Sequence, residues 1–329
     1  MSIIVSVVPK WRFDASHVEI PAKWNVRFVT PATEDELVAA CEGADCLFVP
    51  ATFPEINASI LKRIRHIKLI QSVGAGFDLI DVEAAANEGI PVANAPGANA
   101  NAVAEYTIGL IIALQRQVIV ADSETKAGKY SEVRKSLLAH GLNDMAGSVI
   151  GLVGMGAIGR RVAQILKILG ASVQYYDCFG SAAKIEQELG IQYAPLRELL
   201  KGCSMLSLHV PLTKETQGLI GRDELMLMPN GSFLVNTARG EVVDQVALAE
   251  MLELGHIGGA AVDVLSPEPP QSDHPLLNLS FKARQRLIVT PHIAGVTIGS
   301  FGEMLRMSLD NIDRVLCHKK PLYVVNIRE

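Results

Sequence analysis

Three segments of this sequence end an apolar run on a residue able to do polar chemistry. Leu234-Val235-Asn236-Thr237-Ala238 leads into Arg239-Gly240. Ala261-Val262 leads through Asp263 to Ser266-Pro267-Glu268-Pro269, and Leu287-Ile288-Val289-Thr290-Pro291 leads to His292 and then Gly295. A planar guanidinium pairs with a carboxylate through two parallel hydrogen bonds, which lysine cannot do. An imidazole gives and takes a proton near neutral pH. A carboxylate beside that ring orients it and favours its charged form. Arg239, Glu268 and His292 therefore suit chemistry at a carbonyl next to a carboxylate, where a 2-oxo acid becomes a 2-hydroxy acid. Each has a plainer reading. A histidine after a strand is often structural, Arg239 can bridge loops, and Glu268 can be solvated between its prolines. The other histidines (His17, His66, His140, His209, His256, His274 and His318) lack this partnered setting. His209 follows an apolar run in Leu208-His209-Val210-Pro211-Leu212, a turn that reads as backbone contact with a cofactor.

Reduction needs a hydride donor, and one segment has the pattern to hold it. Gly154-Met155-Gly156-Ala157-Ile158-Gly159 follows the apolar run Val149–Val153 and opens a helical pattern of Val162, Ile165 and Leu169. Gly154 permits a tight turn, Gly156 lets the backbone approach a pyrophosphate, and Gly159 allows close helix–strand packing. The free N–H groups and positive end of the helix then face the phosphates. The next strand ends at Asp177, about 20 residues on, where a carboxylate accepts from both ribose hydroxyls. It would repel a 2′-phosphate, and Cys178 and Phe179 follow in place of an arginine. The pattern points to NAD over NADP. Glycines alone make turns; the strand, helix and acid in register make this a binding motif.

These residues need a frame. Apolar runs alternate with helical patterns along the whole chain, which predicts parallel sheets with helices on both faces. The first hundred residues give strands at 3–8, 26–29, 46–50, 68–72 and 91–93, a small flavodoxin-like domain. Thr33 and Glu36 fit a capping box, Asn57 an N-cap, and Gly89 a left-handed helix stop. Val103, Tyr106, Thr107, Leu110, Ile111 and Leu114 recur at helical spacing, and a second helix is expected from about 118 to 130. The polar stretch 131–147 reads as a connection. Strands near 148–153, 172–177, 204–209, 231–236, 259–264 and 287–290 then complete a dinucleotide fold. A last helix spans about 297–318.

The chain has 329 residues, 49% of them apolar, and a net charge of −5 without a long run of either sign. That allows two domains and a large core, and argues against a basic nucleic-acid face. The five cysteines form no CxxC pair, so neither a zinc site nor a disulfide framework is expected, and a reducing, cytoplasmic setting fits. The N-terminus lacks a signal-peptide pattern, and the apolar stretch from Tyr106 to Leu114 is too short to span a bilayer. A soluble protein without metal is the expectation.

With these motifs in order, the sequence resembles the D-isomer-specific 2-hydroxyacid dehydrogenases over nearly its whole length. The matching stretches are Val73-Gly74-Ala75-Gly76-Phe77-Asp78, Pro96-Gly97-Ala98-Asn99 with Val103-Ala104-Glu105, Gly154 to Gly159, and His209 to Thr213. Asn236 to Gly240, Asp263 to Pro269 and Pro291-His292 continue them. The resemblance implies a Rossmann NAD-binding domain at 102–291, inserted into a substrate domain made of 1–101 and 292–329, with hinges between. It places catalysis on Arg239, Glu268 and His292. Substrate contacts would fall on Val73, Gly74, Ala75 and Gly76 through their backbone, with Arg239 and His292. Cofactor contacts would fall on Gly154, Gly156, Ala157, Ile158, Gly159, Asp177, Val210, Pro211, Thr237, Ala238, Asp263 and Gly295. It also implies a homodimer built on the long helices after residue 101.

Ser266-Pro267-Glu268-Pro269 replaces the family's more usual acidic run. Formate dehydrogenases of this superfamily carry Gln where this chain has Glu268. Phosphoglycerate dehydrogenases often add a regulatory domain, which is not expected in these 329 residues. Glyoxylate, hydroxypyruvate, pyruvate, 3-phosphoglycerate and bulkier acids all fit, because pocket size depends on the facing of Thr52, Phe53 and the last helix. Two other classes share these residues: an NAD-sensing co-repressor that binds peptides, and a dehydrogenase of a small anion such as phosphite or formate. Turnover of 2-oxo acids separates them.

Overall fold

The apolar runs of the first hundred residues become five parallel strands: β1 (Ser2–Ser6), β2 (Trp24–Phe28), β3 (Cys46–Val49), β4 (Leu69–Ser72) and β5 (Val92–Ala93). Their order is β2-β1-β3-β4-β5. Every residue of β3 and β4 is buried, as expected of parallel strands covered on both faces. This computed structural model describes residues 2–51 and 53–326. Sequence caps form as the side chains dictate. Thr33 accepts the N–H of Glu36 at 3.2 Å, and Asn57 accepts those of Ser59 and Ile60. The Glu36 carboxylate reaches one residue further back than a capping box requires, to the N–H of Ala32 at 2.7 Å. Gly89 takes φ +72° after its helix.

Seven parallel strands follow: β6 (Val149–Val153), β7 (Ser172–Tyr176), β8 (Gln192–Tyr193), β9 (Met205–Leu208), β10 (Ser232–Asn236), β11 (Ile257–Val262) and β12 (Leu287–Val289), in the order β12-β11-β10-β9-β6-β7-β8. The sequence predicted six. The extra one, β8, is a two-residue edge strand with no buried residue, too short to leave a period. A second correction concerns 131–147. The structure forms a helix from Tyr130 to His140 that buries no residue. Its apolar residues Tyr130, Val133, Leu137 and Leu138 recur at helical spacing, but six of its eleven residues are polar or charged, and that polarity made the stretch read as a connection.

The chain divides into two compact units, Met1–Asn99 with Val296–Glu329, and Ala100–Gly295. His292 and Gly295 thus belong to the second unit, whereas the sequence reading began the returning segment at 292. The helix Ala100–Gln115 buries Ala104, Ile108 and Ile111 in the core around Ile150, Leu152 and Val162. The helix Ile298–Leu316 packs Met304, Leu305 and Ile312 with Ile4, Phe48, Leu69 and Val73 of the first unit. Among the described residues, no single helix is long and apolar enough to cross a membrane.

Candidate functional site

In the second sheet the chain steps from β6 out to β7 and β8, then returns beside β6 as β9. Open α/β sheets bind ligands at such a reversal, beyond the strand ends. Gly154 leaves β6 there with φ +98°, and a Cβ on it would lie 2.6 Å from the His209 carbonyl oxygen. A Cβ on Gly159 would lie 2.1 Å from the Gly154 carbonyl oxygen. Both positions therefore require glycine. A Cβ on Gly156 meets nothing within 4 Å, so that face of the turn is open. The helix Ala157–Ile168 begins directly after it, and the N–H groups of Ala157 and Ile158 have no acceptor among the described residues. An open glycine face with free donors at a helix N-terminus fits a dinucleotide pyrophosphate.

Asp177 closes this cradle. Its carboxylate accepts the N–H of Met155 at 2.7 Å and of Phe179 at 3.1 Å, so it is held beside the glycine turn. Beyond β9, Val210 is half-buried and Pro211 exposed. The Val210 Cγ1 would lie 2.9 Å from a Cβ on Gly154. His209 itself is a half-buried neutral base. Desolvation pushes its pKa down to about 3, and Nε2 pairs with the Ser207 hydroxyl at 2.9 Å.

Arg239, Glu268 and His292 leave β10, β11 and β12 on one edge of this sheet. His292 has φ +54°, a left-handed conformation uncommon for a residue with a side chain. Its backbone is fixed by Asp263, whose carbonyl accepts the His292 N–H at 2.7 Å. The Asp263 carboxylate accepts the N–H groups of Ile293 and Ala294 and the hydroxyl of Thr290. Asp263 is 1% exposed. The sequence reading assigned it to the cofactor; the structure uses both of its oxygens to hold the His292 turn. Thr237 is similarly committed, with its hydroxyl 2.9 Å from that of Thr107. Ala238 is buried, and Gly295 is half-buried on the His292 turn.

His292 Nδ1 lies 2.8 Å from Glu268 Oε2, and Glu268 Oε1 accepts the Leu265 N–H at 3.0 Å. An ionised carboxylate only accepts, so Nδ1 carries a proton and Nε2 is left for another partner. Burial works against ionisation of Glu268. The hydrogen bonds from His292 and Leu265 and the charges of His292 and Arg239 outweigh it, so this carboxyl titrates below its ordinary range. Arg239 itself is half-buried. The apolar side chains of Leu265, Pro269, Leu277, Val289 and Pro291 line a pocket of about 390 Å³ against Glu268 and His292.

Several supporting residues escaped the sequence reading. Asn236 is 1% exposed, donating to the Arg239 carbonyl at 2.8 Å and accepting from the Ala238 N–H at 3.0 Å. Gln245 both donates to and accepts from the Ser266 backbone at 3.3 Å, and the Ser266 hydroxyl donates to Glu241. A Cβ on Gly240 would lie 2.3 Å from the Leu265 carbonyl carbon. The Arg239 turn and the Glu268 loop can touch only because residue 240 is glycine. The matching stretch Asn236 to Gly240 was the available signal, without a role for Asn236; Glu241 and Gln245 gave none.

In the first unit, Val73-Gly74-Ala75-Gly76 leaves β4. The carbonyl of Gly74 accepts from the Ala95 N–H, that of Ala75 from Asn94 Nδ2, and that of Gly76 from the Ser72 hydroxyl. In a trans peptide the N–H points opposite the carbonyl, so the N–H groups of Ala75 and Gly76 turn away from these partners. Neither has an acceptor among the described residues. Such paired N–H groups form an anion nest. Phe53, beyond β3, is 53% exposed and so lies outside the core; Thr52 lies outside the described residues. Also among the described residues, no group of three or more His, Cys, Asp or Glu side chains is placed to hold a metal ion.

Residues 108–294 match the family model described as D-isomer specific 2-hydroxyacid dehydrogenase, NAD binding domain. The chain is 36% identical over 299 residues to a glyoxylate reductase of Aeropyrum pernix, covering 90% of this chain and 87% of that protein. It is 36% identical over 272 residues to a D-3-phosphoglycerate dehydrogenase of Archaeoglobus fulgidus, covering 83% of this chain but 49% of that longer protein. Its fold matches the holo form of D-mandelate dehydrogenase from Rhodotorula graminis with a TM-score of 0.87 at 26% identity, covering 100% of this chain and 98% of that one. The chain belongs to the D-isomer specific 2-hydroxyacid dehydrogenases, oxidoreductases that act on CH–OH groups with NAD(H).

Proposed function

We propose that the chain reduces a small 2-oxo acid to its D-2-hydroxy acid, with His292 as the proton donor. The observation that carries this is the His292–Glu268 pair. Glu268 is anchored at Oε1 by the Leu265 N–H, leaving Oε2 to hold Nδ1, and this supports a role for Nε2 at the substrate. Bound NADH supplies the hydride. Nε2 gives its proton to the substrate carbonyl oxygen, and the same nitrogen takes one back in the oxidation direction. Glu268 keeps the imidazole in one orientation and stabilises its charged form. Arg239 offers a planar fork to the substrate carboxylate. In the first unit, the N–H groups of Ala75 and Gly76 offer donors suited to a carboxylate.

Gly154, Gly156, Ala157, Ile158 and Gly159 hold the pyrophosphate, and Asp177 the adenosine ribose. Val210, Pro211, Thr237, Ala238 and Gly295 contribute backbone at the strand ends, while Asp263 acts through the His292 turn. A carboxylate at 177 selects NADH over NADPH, so matched kinetics should favour NADH. The exposed apolar residues Val118, Ile119, Tyr130 and Leu138 suit a homodimer interface on the helices after residue 115, which sedimentation would read directly. The five free thiols fit the reducing cytoplasm.

The test is NADH oxidation against glyoxylate, hydroxypyruvate, pyruvate and bulkier 2-oxo acids, with His292→Asn as control. Turnover that falls by about a hundred- to ten-thousand-fold in the variant, with NADH binding intact, is expected. Tight NADH binding without turnover of any acid would favour the sensing role instead.

A further inference from the structure

Arg12 is a cation without a counter-ion among the described residues. It follows β1 in a short helix, Lys10–Ala15. Its guanidinium lies 4.9 Å from the centroid of the Phe301 ring and 5.6 Å from that of Trp11. It has no ion pair among the described residues, and its Nε is buried with no hydrogen-bond partner. Burial holds its pKa below the ordinary arginine value, with no anion opposing that shift. Aromatic faces account for the flat, fixed pose of the fork. They do not satisfy a buried N–H, which normally finds an acceptor.

The position of Arg12 gives that acceptor a chemistry. β1, β3 and β4 are adjacent and parallel, and the strand order reverses between β1 and β3. The segments leaving β1 and β4 therefore share the edge where such sheets take ligands. The helix Ile298–Leu316 connects the two. Met304 Sδ stands 3.6 Å from where a Cβ on Gly74 would be. Phe301, which carries Arg12, lies on the same helix face less than one turn away. The turn that carries the anion nest and the Arg12 fork thus meet neighbouring side chains, Met304 and Phe301, on one face of the same helix.

We propose that Arg12 binds a second anionic group of the substrate, so that the chain prefers 2-oxo acids with a distal carboxylate or phosphate over monoanionic ones. This rests on the reading that the Val73–Gly76 turn takes the carboxylate of a 2-oxo acid. Arg12 is then a specificity residue with no part in the proton step.

Two isosteres that cannot be reduced separate this proposal from the reductase reading. Oxamate carries one carboxylate; N-oxalylglycine carries the same head and a distal second one. Calorimetric titration of the NADH-loaded enzyme should give at least tenfold tighter binding of N-oxalylglycine. Arg12→Met keeps an unbranched apolar stem on Phe301 and should abolish that preference, leaving oxamate binding within about twofold. Arg12→Lys should restore part of it. In turnover, the Arg12→Met loss should fall on 2-oxoglutarate if the distal group is a carboxylate, on 3-phosphohydroxypyruvate if it is a phosphate, and spare glyoxylate in both cases. Equal binding of the two isosteres, failure of both to bind, or equal weakening of both by Arg12→Met would overturn the proposal. Discrimination in binding without turnover of any acid would instead remove the reductase reading and leave this one standing.

Discussion

Beyond β10, β11 and β12 the chain presents side chains; beyond β4 it presents backbone. At the first edge Arg239, Glu268 and His292 are held by links between loops: Asp263 to the His292 turn, Gln245 and Glu241 to Ser266, and Gly240 against Leu265. At the second, three carbonyls are drawn into the fold by Ala95, Asn94 and Ser72, and the opposite N–H groups are turned outward. Proton transfer needs a titratable group fixed to a fraction of an ångström, so the first edge spends its hydrogen bonds on side-chain orientation. Holding an anion needs only donors of fixed direction, which a backbone turn supplies without any ionisable residue.

This contrast can be sharpened by damaging each edge separately. The largest effect is expected from Gly240→Ala. Its Cβ would sit 2.3 Å from the Leu265 carbonyl carbon, so the Arg239 turn and the Glu268 loop must part. A loss of about 1–3 kcal/mol in unfolding free energy should accompany a fall mainly in kcat, read by denaturant melts and steady-state kinetics. Ser72→Ala removes the hydroxyl that holds the Gly76 carbonyl. It should cost about 0.5–1.5 kcal/mol and raise KM for the 2-oxo acid with kcat nearly unchanged. If both variants shifted the same kinetic constant, the division of labour would be wrong.

The smallest effect is in pH. The Glu268 pKa is depressed in the fold, so its stabilising contribution is present above the unfolded value, about pH 4.3 for glutamate, and is lost as pH falls through the lower folded value. The difference in denaturation midpoint between the protein and Glu268→Gln should therefore stay level from neutral pH to about 4.3 and shrink only below it. A difference that already faded above that pH would mean the pair does not hold the carboxylate ionised.

The two edges also differ in how far the sequence revealed them. Arg239, Glu268 and His292 could be read because each is a reactive residue type placed directly after an apolar run. The glycines at 154 and 159 could be read because their spacing matches a mechanical need, which their close contacts display. Asp263 has a further role that its neighbours do not announce: its oxygens turn toward Ile293 and Ala294, some thirty residues on. Asn236 and Gln245 act through contacts set by the tertiary fold. The strand β8 is two residues long, too short to show a period, and the polar residues of the helix Tyr130–His140 masked the spacing of Tyr130, Val133 and Leu137. Arg12 has the type of an anion binder, but only its missing partner in the folded chain makes it a candidate.

The central claim is that His292 and Glu268 work as one proton-handling unit. The direct measurement is a double-mutant cycle on kcat/KM for 2-oxo acid reduction, using Glu268→Gln, His292→Asn and the pair together. If Glu268 acts through the imidazole, its substitution costs activity alone but adds almost nothing once His292 is gone, so the double variant matches His292→Asn. Losses that multiply in the double variant would show the two residues acting independently and would contradict the account.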